Sequence, residues 1–138
     1  MNIDRDFDVF ISYSAASRLW AHELVAALHE HGVRAWYDEE IAPGEKWVDQ
    51  IETALRDSPA LVFILTRESS LESPWIFFEI GAAIAGKKRI IPVLVDDLPP
   101  ERIPRVLYQY QFLRESSPAV AAERIAAVLK TMPANAAA

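Results

Sequence analysis

The chain has 138 residues, 51% of them hydrophobic, and a net charge of −6; this suits one sizeable core and leaves too little length for two ordinary domains. Acidity argues against a nucleic-acid partner, no apolar run approaches the roughly 18 residues of a membrane span, and a polar Met1 to Phe7 does not read as a secretory leader, so the cytosol is the expected compartment. Without cysteine there is neither a disulfide nor a thiolate nucleophile.

Asp8 to Tyr13 is the first β-rich apolar run. Ala16 to His31 has the helical period, with Trp20, Leu24, Ala27, Leu28 and His31 on one stripe and Gly32 as its stop. The three histidines, His22, His29 and His31, fall in this helix; only His22 and His29 share a face, two turns apart, which is too wide to chelate a metal. Val33 to Tyr37 is the second strand. Asp38 to Trp47 is acidic, with Pro43-Gly44 suited to a tight turn and Ile41 an apolar tip among Glu39, Glu40 and Glu45; it reads as an exposed loop or as a mobile lid and assembly surface.

Trp47, Ile51 and Leu55 predict a helix from Lys46 to Arg56. Ala60 to Leu65 has no polar alternation, as in a strand covered on both faces of a parallel sheet. Ser73 followed by Pro74 suits an N-cap and first helical position, for a helix running through Ile84 toward Gly86. Lys87-Lys88-Arg89 comes just after that helix end, where cations offset the dipole, a structural role rather than a phosphate site. Arg89 to Val95 is a strand interrupted by Pro92, which removes a ladder hydrogen bond and argues for an edge or a bulge. Leu98-Pro99-Pro100 and Ile103-Pro104 make the next connection irregular. Tyr108 to Leu113 is a weaker strand pattern, and Ala119 to Leu129 a last helix with Val120, Ile125, Val128 and Leu129 as its stripe. Residues 1–132 thus alternate strands and helices as in one doubly wound α/β domain, and 133–138 read as a frayed tail or linker.

Glu79 stands out: a carboxylate in the most apolar helical stretch, four residues after Trp75 and so on the same helical face. A buried carboxylate needs a partner or a cleft, so Glu79 is either a solvated face residue or part of a site, and Trp75 either core or a ring platform. Tyr13 and Ser14 end the first strand, where such sheets present ligand contacts, although a plain strand end and helix cap would read the same.

Three stretches, in order, resemble a Toll/interleukin-1 receptor (TIR) domain: Phe7-Asp8-Val9-Phe10-Ile11-Ser12-Tyr13-Ser14; Gly32 to Asp38 with the following Glu39 to Trp47; and Ser73-Pro74-Trp75 with Glu79. The resemblance covers about residues 7 to 130. It departs at Ala15-Ala16-Ser17-Arg18, where many relatives carry an acid; Ser17 remains a candidate helix cap.

The resemblance implies a flavodoxin-like, five-stranded parallel sheet of order 2-1-3-4-5 with helices on both faces, and one of two roles. The first is an enzyme that cleaves NAD+ at its nicotinamide bond, with Glu79 catalytic and Tyr13, Ser14, Asp38, Gly44, Trp47 and Trp75 binding the substrate. The second is an adaptor that recruits other TIR domains through Ile41, Pro43 and Gly44. NAD+ is then substrate rather than cofactor, and no metal is called for. The implied partners are other TIR domains and a sensor or effector protein of an immune system. One carboxylate suffices chemically, because nicotinamide leaves a pyridinium as a neutral molecule and needs no general acid, unlike an ordinary glycoside. A phosphoacceptor receiver domain shares the sheet order, but Tyr13-Ser14, Leu65-Thr66 and Leu113-Arg114 stand where it needs acids and a lysine. A nucleoside deoxyribosyltransferase, also a sheet domain with a working glutamate, stays open on chemistry alone.

Overall fold

The computed structural model describes residues 8–13, 17–37, 56–67, 81, 85–103 and 105–131. Among them are strands β1 (Val9–Ser12), β2 (Ala35–Trp36), β3 (Ala60–Leu65), β4 (Arg89–Leu94) and β5 (Leu113–Arg114) and helices α1 (Arg18–Glu30) and α2 (Pro118–Lys130). The strands form one sheet of order β2-β1-β3-β4-β5 with every neighbouring pair parallel, the flavodoxin-like topology expected. Of the two other expected helices, Arg56 and Asp57 are helical at the end of one and Gly81 and Ala85 in the other; the remainder lies outside the described residues.

Successive side chains on a strand point to opposite faces, so each strand feeds two cores. On one face Val9, Ile11, Val62, Ile64 and Val93 meet Leu24 and Leu28 of α1 and Ile125 of α2. On the other, Phe10, Trp36, Phe63 and Leu65 meet Ile103 and Leu107 from the irregular connection. That connection forms two short 3-10 turns, Pro100–Arg102 and Arg105–Gln109. The rings of Phe10 and Trp36 stack with centroids 5.0 Å apart across β1 and β2. Every residue of β3 is buried, as its unbroken apolar run implied.

Several expectations are corrected. His31 leaves the apolar stripe of α1, because it is the C-cap and is exposed; Ala21, Leu24, Val25 and Leu28 form the buried face. Ser17 sits at the N-cap of α1, yet its hydroxyl makes no capping hydrogen bond, while Ser117 does cap α2 by accepting from Val120 N–H at 3.3 Å. Val120 is exposed, about one helical step from the buried line of Ala121, Ala122, Ile125 and Ala126. Of Tyr108 to Leu113 only Leu113 is strand, since 105–109 coil instead and carry Leu107 into the core.

Pro92 sits in an interior strand, opposite Phe63 of β3, rather than at an edge. The ladder explains how it is tolerated. Arg89 N–H bonds Pro59 C=O and Val95 N–H bonds Leu65 C=O, so odd-numbered residues of this strand bond toward β3 and even-numbered ones face away. On that other side β5 begins pairing only at Val93, so the hydrogen Pro92 lacks has no ladder partner to miss.

Gly32 is the expected stop. With φ at +78° it lets its own N–H reach His29 C=O and Val33 N–H reach Leu28 C=O, the paired bonds that close a helix C-terminus. A Cβ there would meet nothing within 4 Å, so Gly32→Ala tests backbone strain alone. The substitution is expected to lower unfolding free energy by about 1 kcal/mol in urea titration, and no change would refute the strain. The basic cluster is structural as expected, but serves a different helix end. Lys88 Nζ donates to the carbonyls of Arg56 and Ser58, and the left-handed residue after Ala85 is Lys87, at φ 57°, rather than Gly86.

Candidate functional site

A parallel sheet gathers its strand ends on one edge, and here those ends are Ser12-Tyr13, Tyr37, Thr66-Arg67, Asp96-Asp97 and Glu115-Ser116. Of the expected site residues, Tyr13 falls at the end of β1. Ser14, Asp38, Ile41, Pro43, Gly44, Trp47, Trp75 and Glu79 lie outside the described residues.

At the β1–β2 end the edge is aromatic. Tyr13 and Tyr37 are half-buried against the α1 side of the core, their ring centroids 6.2 Å apart. His22 of α1 meets the Tyr37 ring edge-on at 5.4 Å, with its Nδ1 3.4 Å from the Tyr37 hydroxyl. The pairing follows from topology, since parallel β1 and β2 end side by side with α1 between them in sequence. From the sequence, His22 was weighed as a metal ligand and set aside, and Tyr37 was read as the end of the second strand without a role in a site. The available signal was that Tyr37 ends its strand as Tyr13 does.

Next along the edge, Thr66 is buried at the end of β3, and Arg67 N–H donates to Asp96 Oδ2 at 3.0 Å, tying the loop after β3 to the loop after β4. The β4–β5 end is acidic. Asp96, Asp97 and Glu115 line a cavity of about 470 Å³, with Arg114 the one cation on its wall among the described residues. Glu115 is structurally committed: it accepts from Ser117 N–H at 3.1 Å and pairs with Arg124 at 3.7 Å. Trp20 Nε1 donates to Ser116 C=O at 2.9 Å, binding α1 to the segment that leads into α2. The three carboxylates at the β4–β5 end disfavour a phosphate-bearing group there, which the aromatic wall at the β1–β2 end does not.

Comparisons place this fold among known proteins. The family described as TIR domain matches residues 9–129. A protein of Theionarchaea archaeon (strain DG-70-1) named NAD(+) hydrolase TcpA is 31% identical over 99 residues, covering 67% of this chain; the chain spans 30% of that protein's length. A metazoan TIR-STING receptor from C. gigas, solved with 2′,3′-cGAMP, superposes with a TM-score of 0.77 at 20% identity, over 94% of this chain and 41% of the receptor. The RPS4 and RRS1 TIR domain heterodimer gives a TM-score of 0.66 at 18% identity, over 89% of this chain and 95% of the solved one. At these identities the two structures bear on fold alone.

Proposed function

The chain belongs to the TIR domain family, and on that premise we propose that it is an NAD+ nucleosidase, releasing nicotinamide together with ADP-ribose or its cyclic form. The observation that carries this reading is its 31% identity to a protein named as an NAD(+) hydrolase. Trp75 and Glu79, spaced to share a helical face, supply residues suited to that chemistry.

The bond from the ribose anomeric carbon to the pyridinium nitrogen breaks, its electron pair returns to the ring, and nicotinamide leaves neutral. What remains is a ribosyl oxocarbenium ion. An ionised Glu79 held against the ribose hydroxyls gains interaction as that positive charge grows, which stabilises the transition state more than the substrate. Capture by water, with loss of its proton, gives ADP-ribose; capture by an adenine nitrogen gives the cyclic product. Trp75, Tyr13, Ser14 and the segment holding Asp38, Gly44 and Trp47 bind the dinucleotide in this reading, and Tyr37 joins Tyr13 as a ring surface at the β1–β2 end.

Purified protein incubated with NAD+ should release nicotinamide, with chromatography of the products separating hydrolase from cyclase. Intact NAD+ at high protein concentration, with and without a crowding agent, would sink the reading. Self-association through Ile41, Pro43 and Gly44 is proposed to activate it, so specific activity should rise with protein concentration. A constant specific activity would remove assembly from the proposal.

The second reading, an interaction module without catalysis, is the other role that the resemblance of residues 32–47 to TIR domains implies. It predicts signalling that survives loss of Glu79 and fails on substitution of Pro43 or Gly44. An immune role beside a sensor or effector, inside the cell, belongs to both readings. Among the described residues no helix is long and apolar enough to cross a membrane.

A further inference from the structure

Strand β2 is two residues long and forms an edge of the sheet, so Tyr37, the residue that follows it, has a neighbouring strand on one side alone. Extending the register of Val9 with Ala35 and Phe10 with Trp36 by one step sets Tyr37 beside Ile11, and Tyr13 lies two residues further along the same face. The two tyrosine rings therefore meet, with centroids 6.2 Å apart and planes tilted by 51°, within the spacing that aromatic pairs favour. Both are half-buried, so each keeps part of its surface open.

A ring at the end of an edge strand leans on the helix layer for its orientation. His22 supplies a contact there. Its ring stands at 79° to that of Tyr37 with centroids 5.4 Å apart, and its Nδ1 lies 3.4 Å from the Tyr37 hydroxyl oxygen, near the outer limit of a hydrogen bond. The perpendicular ring contact is the firmer of the two. His22 is itself exposed, yet it is carried by a fixed backbone: Ala21 and Leu24 on either side are buried in the core, and Trp20 Nε1 donates to Ser116 C=O at 2.9 Å. An exposed side chain adds little to the core, so the consequence of the contact falls on Tyr37.

We propose that His22 is a positioning residue for the substrate: it fixes the Tyr37 ring so that Tyr37 and Tyr13 form one preformed aromatic wall for a planar ring of the dinucleotide. This deepens the NAD+ reading given above and rests on it. A wall set before the ligand arrives spares binding the immobilisation of a side chain. Because the wall meets the substrate in the ground state and the transition state alike, its loss falls on KM rather than on kcat.

The test is a double-mutant cycle on NAD+ cleavage by the intact protein. His22→Ala should raise KM about threefold to tenfold, the equivalent of freeing one side chain, with kcat within about twofold of wild type. Tyr37→Leu, which keeps apolar bulk against the core and removes the ring, should raise KM at least as far. Adding His22→Ala to it should change nothing more, because His22 acts through Tyr37. His29→Ala, exposed on the same helix, should leave both constants at wild type. Thermal melts and light scattering check that the variants fold and assemble equally. An unaltered KM in His22→Ala, a loss confined to kcat, or effects that add in the double variant would overturn the proposal while NAD+ cleavage stands. If the wild type releases no nicotinamide, the NAD+ reading falls, and calorimetric titration with NAD+ reads the same cycle as dissociation constants; no binding at millimolar concentration would overturn both.

Discussion

Glu79→Gln is expected to lower nicotinamide release from NAD+ by at least about a hundredfold in kcat, with little change in KM or in the thermal melt. Glutamine keeps the size and one carbonyl acceptor of glutamate but removes the negative charge. If the carboxylate acts by meeting positive charge that appears only as the glycosidic bond breaks, ground-state binding is spared and the loss falls on kcat. A rise in KM at constant kcat would instead make Glu79 a substrate-binding group. Wild-type activity in the variant would move the chemistry to another residue. The comparison needs equal assembly of both proteins, since a change that weakened self-association would also lower turnover; light scattering under assay conditions separates the two.

The second large effect is on stability. Phe63→Ala should lower unfolding free energy by about 3–5 kcal/mol, a large part of the roughly 5–15 kcal/mol that holds a domain folded. Phe63 is 1% exposed in the central strand, between β1 and β4, with Leu107 in the same cluster. Removing its ring leaves a void that rigid neighbours on two paired strands cannot close. The internal control is Leu19, 72% exposed on α1, where Leu19→Ala should stay within about 0.5 kcal/mol. Urea unfolding with an unchanged slope and a shifted midpoint is the expected result for Phe63→Ala. A shift no larger than that of Leu19→Ala would mean the two-layer packing is wrong.

How much could be read beforehand varied with the range of the interactions involved. The buried run at β3 was legible because six apolar residues in a row admit few other homes, and the stop of α1 because left-handed backbone selects glycine. The strand order was reached through resemblance to a family and matched the sheet found. Patterning alone misplaced β5, since Tyr108 to Leu113 carries a strand composition that lost to the burial of Leu107 in a 3-10 turn. Tyr13 was legible as a strand end. Its neighbours were not: Tyr37 lies 24 positions away, and His22 had only a helical context in which to be judged.

By itself the sequence determined the apolar runs that extend as β1 and β3, the helical periods of α1 and α2, and that β3 must be covered on both sides. These are short-range matters, governed by backbone sterics and by the spacing of apolar side chains. The tertiary structure alone decided which strand ends become neighbours, so that aromatic groups collect beside β1 and β2 and carboxylates beside β4 and β5. It also decided that the hydrogen missing from Pro92 points where no partner strand has yet begun. Both depend on register between segments far apart in the chain, and register is set by the packing of all the layers at once.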